Sequence, residues 1–174
     1  MNTVIIYGSQ YGTTKRYAEK FAEMTDLPII NFEDIENLEK YERVVYFGAL
    51  YAGGVKGLKN TIKKLSPNTK LVIVTVGLAD VCDEKNISNI RNSIRKQVPE
   101  YFFKKASIFH LRGGIDYQKL SFKHKMMMKL LYNKVKNMPE EKKTAEVRAM
   151  IETFNSKVDF VDFACLDQIT ESIC

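Results

Sequence analysis

Short apolar runs alternate with segments of helical spacing through the first 111 residues of the chain. The apolar runs predict five strands, and the fourth is continuous, as is typical of a strand buried on both faces. The segments between the runs predict helices, the last capped by Asp83 and ended by Pro99. The strands are predicted at residues 3–7, 27–32, 43–48, 70–76 and 106–111, and the helices at residues 14–24, 58–65 and 83–98.

Strands that alternate with helices predict an α/β fold, in which a doubly wound sheet of five parallel strands has helices on both faces. Such sheets bind ligands outside the carboxyl ends of their strands, where the strand order reverses. The turns after strands one, three and four all emerge at this edge of the sheet. These three turns are therefore the candidate binding loops.

An insertion separates the fifth strand from the final helix, which is predicted at residues 163–173 with Asp162 as its cap. Residues 112–157 are far more than the short connection that a compact α/β unit needs at this point. Their pattern predicts a basic helix at about residues 120–136, a turn at Asn137-Met138-Pro139, and a second helix at about residues 146–154. The whole chain, residues 1–174, is expected to form one domain.

The net charge of +6 comes entirely from the insertion, because residues 112–136 contain seven Lys or Arg and one acid, Asp116. A helical wheel of residues 120–136 predicts a basic stripe opposite an apolar arc. The stripe contains Lys125, Lys129, Asn133 and Lys136, and the arc contains Met127, Met128, Leu130, Leu131 and Val135. Such a helix can lie on an anionic membrane surface. Alternatively, it packs its apolar face on the sheet domain and exposes its lysines to solvent.

Other features of the sequence limit where the protein works. No apolar run approaches the ~20 residues of a membrane-spanning helix, and we see no secretory signal before the first strand. Cys82, Cys165 and Cys174 are far apart, which favours free thiols and a reducing, cytoplasmic location. His110 and His124 are too scattered to predict a metal site. No recognition motif accompanies the positive charge, so we do not expect nucleic-acid binding.

The first candidate loop, Ser9-Gln10-Tyr11-Gly12-Thr13-Thr14, leads from strand one into a helix. The free N–H groups and the dipole of a helix N-terminus attract phosphate, Gly12 allows close approach, and the Ser and Thr hydroxyls can add donors. The glycine spacing matches neither the G-x-G-x-x-G dinucleotide fingerprint nor a P-loop. An ordinary turn with Thr as N-cap remains the alternative. The loop resembles the phosphate-binding loop of the flavodoxin family, which holds the 5′-phosphate of FMN.

This resemblance implies the strand order 2-1-3-4-5 and places the other two loops against the flavin ring. In Ala49-Leu50-Tyr51-Ala52-Gly53-Gly54, Tyr51 would stack on the ring, and the Gly53-Gly54 peptide could rotate to meet the reduced flavin. Val76-Gly77-Leu78-Ala79-Asp80 would read the pyrimidine edge through its backbone. Because this loop has no aromatic residue, either Leu78 or the insertion is expected to cover the ring there. An ordinary surface tyrosine and an ordinary turn are the alternatives for the second loop.

Arg112-Gly113-Gly114-Ile115-Asp116-Tyr117 and the Met-rich segment after it resemble the menaquinone-dependent protoporphyrinogen oxidase family, and the likeness covers nearly the full chain. It implies an enzyme that oxidises protoporphyrinogen IX to protoporphyrin IX in haem synthesis and passes electrons through FMN to a respiratory quinone. No side chain is assigned a catalytic role, since the flavin carries the chemistry. The expected substrate or membrane contacts are Arg112, Lys119, Lys123, Lys125 and Lys129.

A quinone acceptor would be reached from a peripheral position on the inner face of the cell membrane. Two other functions stay open. The first is a flavodoxin-type electron carrier that has no small-molecule substrate and docks redox proteins, although such carriers are usually acidic. The second is an interaction module on the same scaffold that binds no FMN.

Overall fold

A computed structural model, which describes residues 1–173, has a central sheet of parallel strands in the order β2-β1-β3-β5-β6, with β4 antiparallel to the end of β3. Counted along the chain, the five parallel strands have the order 2-1-3-4-5, which confirms the predicted sheet. The strands are β1 (Thr3–Gly8), β2 (Ile29–Asn31), β3 (Arg43–Tyr51), β4 (Gly54–Val55), β5 (Lys70–Gly77) and β6 (Ser107–Arg112).

Helices cover both faces of the sheet. Asp83 and Asp162 cap their helical segments as expected, because their carboxylates accept the N–H groups of Asn86 and Ala164, each at 3.0 Å. A short helix, α4, follows Pro99 and was not predicted, although proline favours the start of a helix as much as it ends one. The helices are α1 (Thr13–Thr25), α2 (Leu58–Ile62), α3 (Glu84–Arg95), α4 (Glu100–Lys105) and α7 (Asp167–Ile173), the last preceded by a 3₁₀ turn, Phe163–Leu166.

Alternate side chains of each strand point to opposite faces, so the sheet has two separate apolar cores. In β1, Ile6 packs in the core under α2, α3 and α4, whereas Ile5 packs in the core under α1 and α7. Both residues are fully buried. The insertion belongs to neither of these cores.

The insertion forms a unit with its own small core, whose buried residues are Ile115, Tyr117, Met128, Val135 and Met150. Its helices are α5 (Phe122–Val135) and α6 (Ala145–Glu152), close to the two predicted positions. Its ends are joined by an antiparallel pair, β7 (Gly114–Asp116) and β8 (Lys157–Asp159), which the sequence did not predict. Strands of three residues are too short to show the alternation from which strands are predicted.

The buried face of α5 differs from the predicted apolar arc. Met128 and Val135 are buried, whereas Leu130 and Leu131, which were placed in the same arc, face solvent. Leu130 is 66 % exposed, and Phe122, two turns earlier, is 78 % exposed. The buried side of α5 packs mainly in the insertion's own core, which Tyr11 and Leu78 of the sheet domain adjoin, and the rest of its apolar surface faces solvent. Within residues 1–173, no helix has the length and apolar content to cross a membrane.

Candidate functional site

The three candidate loops meet at one edge of the sheet, because the strands before them are neighbours in register. Gly8 at the end of β1 pairs with Gly48 of β3, and Ala49 of β3 pairs with Val76 of β5. The predicted loops therefore lie at three adjacent strand ends, although two of them were predicted to begin too early: Ala49, Leu50 and Tyr51 still belong to β3, and Val76 and Gly77 to β5. This is the edge at which doubly wound sheets bind ligands.

The first loop presents a helix N-terminus suited to an anion. Gly12 precedes α1 in the left-handed conformation, with φ 97°, and within the described residues no side chain caps this terminus. Neither threonine acts as N-cap, so the alternative of an ordinary Thr-capped turn is not what the structure shows. Ser9 instead accepts the Gly12 N–H at its Oγ, at 3.1 Å, which holds the loop in shape.

Lys56 brings a positive charge to the first loop, and the sequence analysis missed it. Its Nζ donates to the Ser9 carbonyl at 2.9 Å and to Oε1 of Gln10 at 2.8 Å. The only signal in the sequence is that this lysine comes two positions after the second loop. The pairing of β4 with β3 brings that segment back beside the first loop. A half-buried ammonium here adds to the attraction that the helix N-terminus has for phosphate.

The second loop is the tight hairpin that joins β3 to β4. Ala52 and Gly53 form its turn, with φ 50° and 77°. The Gly53 carbonyl accepts the Ser93 hydroxyl at 2.5 Å, so a rotation of the Gly53-Gly54 peptide would have to break this hydrogen bond. Tyr51 lies on the other side of the turn and donates its hydroxyl to the Met127 sulfur at 3.2 Å.

The third loop offers two backbone donors to one acceptor, and in this structure the acceptor is Glu146 of α6. Its carboxylate accepts the Leu78 N–H at 3.2 Å and the Ala79 N–H at 3.0 Å. Burial raises the pKa of this carboxyl, while the two N–H groups and the charge of Arg112 act to lower it. Asp80 is exposed and accepts the Cys82 N–H at 2.8 Å, so it belongs to a solvated turn.

Helix α5 lies over the first and second loops. Tyr11 donates its hydroxyl to the Met128 sulfur at 3.3 Å, and its ring meets the His124 ring edge-to-face at a centroid distance of 5.9 Å. Burial, together with the nearby phenols of Tyr51 and Tyr117, raises the pKa of Tyr11 to about 12. The phenol is therefore neutral at physiological pH. The sequence predicted that either Leu78 or the insertion would cover the flavin ring. The insertion contacts all three loops, and Leu78 itself packs against the insertion core.

The residues at the site fit FMN. An uncapped helix N-terminus and a lysine suit its phosphate, the phenols of Tyr11 and Tyr51 suit its aromatic ring, and the paired N–H groups of the third loop suit an acceptor on the edge of that ring. Tyr117 adds a buried hydroxyl that has no hydrogen-bond partner in the described part of the chain. A polar atom of a bound ring would satisfy this hydroxyl.

The predicted basic contacts divide into two groups. Arg112 is half-buried, donates its Nε to the Leu78 carbonyl at 2.9 Å, and stacks on the Phe160 ring at 3.7 Å, so it supports the third loop. The lysines of α5 and of the turn before it are exposed and lie on the outer side of the insertion: Lys119, Lys123, Lys125 and Lys129.

A family model described as a flavodoxin domain matches residues 4–143, which is most of the chain. The chain belongs to the flavodoxin family. Membership makes FMN its cofactor, in agreement with the donors of the site. The match ends just before α6, so the helix that carries Glu146 lies outside the part that resembles the family. A comparison with curated proteins gave no match.

Three solved structures of similar fold illustrate the likeness. A flavoprotein from Lactobacillus acidophilus in complex with FMN is 12 % identical, with 64 % of this chain and 91 % of that chain covered and a TM-score of 0.43. A flavodoxin mutant from Pseudomonas aeruginosa is 16 % identical, with 76 % and 95 % covered and a TM-score of 0.40. An azoreductase from Bacillus anthracis is 8 % identical, with 64 % and 86 % covered and a TM-score of 0.43. Because these TM-scores are low, the family assignment rests on the family-model match to residues 4–143 alone.

Proposed function

We propose that this flavodoxin-family protein is an FMN-dependent oxidoreductase that oxidises protoporphyrinogen IX and passes the electrons to a quinone. The observation that carries the proposal is the position of the insertion, whose basic helix α5 lies directly over the flavin loops through Tyr11 and Tyr51. A simple electron carrier leaves its flavin edge open to other proteins. Here a substrate would approach the ring between the loops and a helix with exposed lysines.

The chain's own residues bind and orient the cofactor. The first loop and Lys56 would hold the phosphate, Tyr11 and Tyr51 would contact the ring, and the third loop would supply backbone donors to the ring edge. FMN supplies the redox chemistry when bound, by accepting an electron pair from one partner and releasing it to another. The insertion, which contacts all three loops, would shield the ring from water and so limit side reactions of the reduced cofactor.

The exposed face of α5 suits a porphyrinogen and the membrane in which a quinone dissolves. Lys119 and Lys123 stand near the start of the helix, where they can meet the two propionates of the substrate. Phe122, Met126 and Leu130 recur every four residues and form an apolar stripe that faces solvent. An apolar stripe flanked by lysines matches an anionic lipid surface, so we propose that α5 rests on the membrane.

The enzyme is tested by following porphyrin fluorescence under nitrogen, with FMN-loaded protein, protoporphyrinogen IX and a menaquinone analogue. We expect a quinone-dependent rate that disappears when FMN is removed from the protein. Lys119→Glu together with Lys123→Glu should raise the KM for the anionic substrate. Lys104→Glu together with Lys105→Glu serves as the control, because these exposed lysines end α4 just before β6 begins, at the opposite edge of the sheet. Tight FMN binding without a rate above free FMN would contradict the enzyme and favour an electron carrier.

A further inference from the structure

One half-buried carboxylate links the insertion to the third loop. Glu146 lies in the first turn of α6, and its two oxygens take the N–H groups of Leu78 and Ala79, which are 68 and 67 positions earlier in the chain. Only the fold of the insertion brings these groups together. Two backbone donors that share one carboxylate make a charge-assisted contact, stronger than an ordinary hydrogen bond.

The third loop is shaped to receive this carboxylate. A Cβ atom added at Gly77 would lie 2.4 Å from Oε1 of Glu146, so any larger residue there would push the carboxylate away. The loop therefore combines a paired donor with the space that a planar acceptor group requires. The pyrimidine edge of a flavin presents neutral carbonyl oxygens, which can accept hydrogen bonds from the same backbone N–H groups.

The contacts of α5 with the first two loops involve no carboxylate, and one of them is a hydrogen bond of 3.2 Å between Nε2 of Gln10 and Nε2 of His124. Tyr11 and Tyr51 both donate to methionine sulfurs, at 3.3 Å and 3.2 Å, and a thioether is a poor acceptor. These two contacts can be exchanged for other partners at little cost. Within residues 122–152, which carry both helices of the insertion, Glu146 is the charged side chain that bonds to the flavin loops.

We propose that Glu146 is a competitor, built into the chain, for the backbone donors that the third loop offers to the pyrimidine ring of FMN. The proposal rests on the FMN binding proposed above. Glu146 closes the insertion over the loops when it holds the Leu78 and Ala79 N–H groups, and it must leave them before the flavin ring can take its place. The residue therefore sets both the affinity and the rate with which the site accepts a flavin.

Amide hydrogen exchange of the wild-type protein, with and without saturating FMN, tests this directly. We expect slower exchange in the first turn of α1, where the phosphate binds, and faster exchange in α6, because α6 loses its attachment at Glu146. Inorganic phosphate alone should slow the first turn of α1 and leave α6 unchanged. Slower or unchanged exchange in α6, in the presence of bound FMN, would overturn the proposal. If FMN leaves the first turn of α1 unprotected, the proposed FMN binding itself fails, and Glu146 as its competitor fails with it.

Variants of Glu146 give an independent measurement. If the open form is a minor state of about 1–10 %, Glu146→Ala should tighten FMN binding by about tenfold to a hundredfold. Riboflavin, which lacks the phosphate, should gain by the same factor, because the competition concerns the ring. Glu152→Ala, at the exposed end of the same helix, is the matched control and should leave both affinities unchanged.

Glu146→Gln keeps the size of the side chain and should show a smaller gain in flavin affinity, so the proposal can still be tested if the alanine variant unfolds. Weaker flavin binding in either folded variant would show that Glu146 supports the bound flavin, which contradicts the proposal.

Discussion

The phosphate end of the site depends on a few residues at the N-terminus of α1. Gly12 turns the chain in the left-handed region, Ser9 fixes that turn, and the first-turn N–H groups remain available for a ligand. None of the residues in the first turn is acidic, so the positive end of the helix dipole is not neutralised. A single negative charge at this point should therefore oppose the cofactor.

Thr13→Glu tests this part of the site. A carboxylate a few ångströms from the phosphate costs several kcal/mol at a protein surface, so we expect FMN binding to weaken by about 100-fold or more. Thr13→Gln is the control for size and should weaken binding far less. The measurement is the dissociation constant of FMN from quenching of its fluorescence. Equal constants for the Glu variant and the wild type would show that the phosphate binds elsewhere.

His110 gives a prediction about stability. Burial, aided by the charge of Arg91, lowers the pKa of His110 to about 4, and its Nδ1 lies 2.7 Å from the Thr75 hydroxyl. The unfolded chain, with a histidine pKa of about 6.5, binds the proton more readily, so stability falls as the pH drops from about 6.5 towards 4.

We expect a loss of about 1 kcal/mol in the free energy of unfolding between about pH 7 and about pH 5, allowing for the partial exposure of the ring. Urea denaturation at the two pH values measures it. His110→Gln should flatten this dependence, and the same change at His124 controls for the loss of an imidazole. An undiminished slope in His110→Gln would refute the assignment.

Sequence patterns located the loops but could not find every residue that acts in them. Tyr11, Tyr51 and Leu78 could be predicted because each directly follows a strand whose apolar run is clear. Glu146 could not be predicted as a site residue, because a carboxylate in an amphipathic helix is expected to face solvent. Only the folded structure brings it to Leu78 and Ala79. Lys56 was missed for a related reason: its place beside Ser9 depends on the turn of the β3–β4 hairpin.

At the scale of single elements, the two faces of helix α5 have different environments. Its inner face packs Met128 and Val135 into the insertion core, and its outer face exposes Phe122, Met126 and Leu130 between lysines. The sequence predicted the helix and its basic stripe but not which apolar residues turn inward. A helix with apolar residues over more than half of its circumference permits several orientations, and only the shape of its neighbours selects one.

The outer face of α5 is tested by sedimentation with liposomes. Lys125→Glu together with Lys129→Glu should abolish binding to vesicles that contain anionic lipid. The two substitutions replace positive with negative charges, so electrostatic attraction to the lipid becomes repulsion. Phe122→Asp should weaken the same binding by removing the largest apolar contact. Lys104→Glu together with Lys105→Glu makes the same change of net charge at the end of α4 and is the matched control. Equal sedimentation of all variants would exclude α5 as the membrane contact.

At the scale of the whole molecule, the insertion is a separable layer on a flavodoxin core. The two sheet cores contain none of its buried residues, and its ends meet where the Phe160 N–H donates to the Gly113 carbonyl at 3.0 Å. The strand order was predicted from the resemblance to the flavodoxin family, whereas the apolar runs by themselves predicted only strands that alternate with helices. The tie between the ends of the insertion was not predicted, because β7 and β8 are too short to show a pattern.

Removal of residues 114–159, with Gly113 joined to Phe160 by a short glycine linker, should leave a folded protein that still binds FMN. We expect it to lose liposome binding and quinone-coupled turnover, because both depend on α5. Removal of residues 115–136 alone should be far more damaging, since α6 and β8 would then expose the rest of the insertion core. Circular dichroism and FMN titration compare the two proteins. If the larger deletion does not fold, the insertion is part of the central fold.

The most direct test of the central claim is a titration of the intact protein with FMN, followed by flavin fluorescence, with riboflavin as the comparison. A flavin site formed by the three loops predicts saturable binding of about one FMN per chain, with the ring fluorescence quenched by neighbouring tyrosines. Riboflavin should bind much more weakly, because it cannot use the first loop. Unchanged fluorescence of FMN in the presence of excess folded protein would contradict the account.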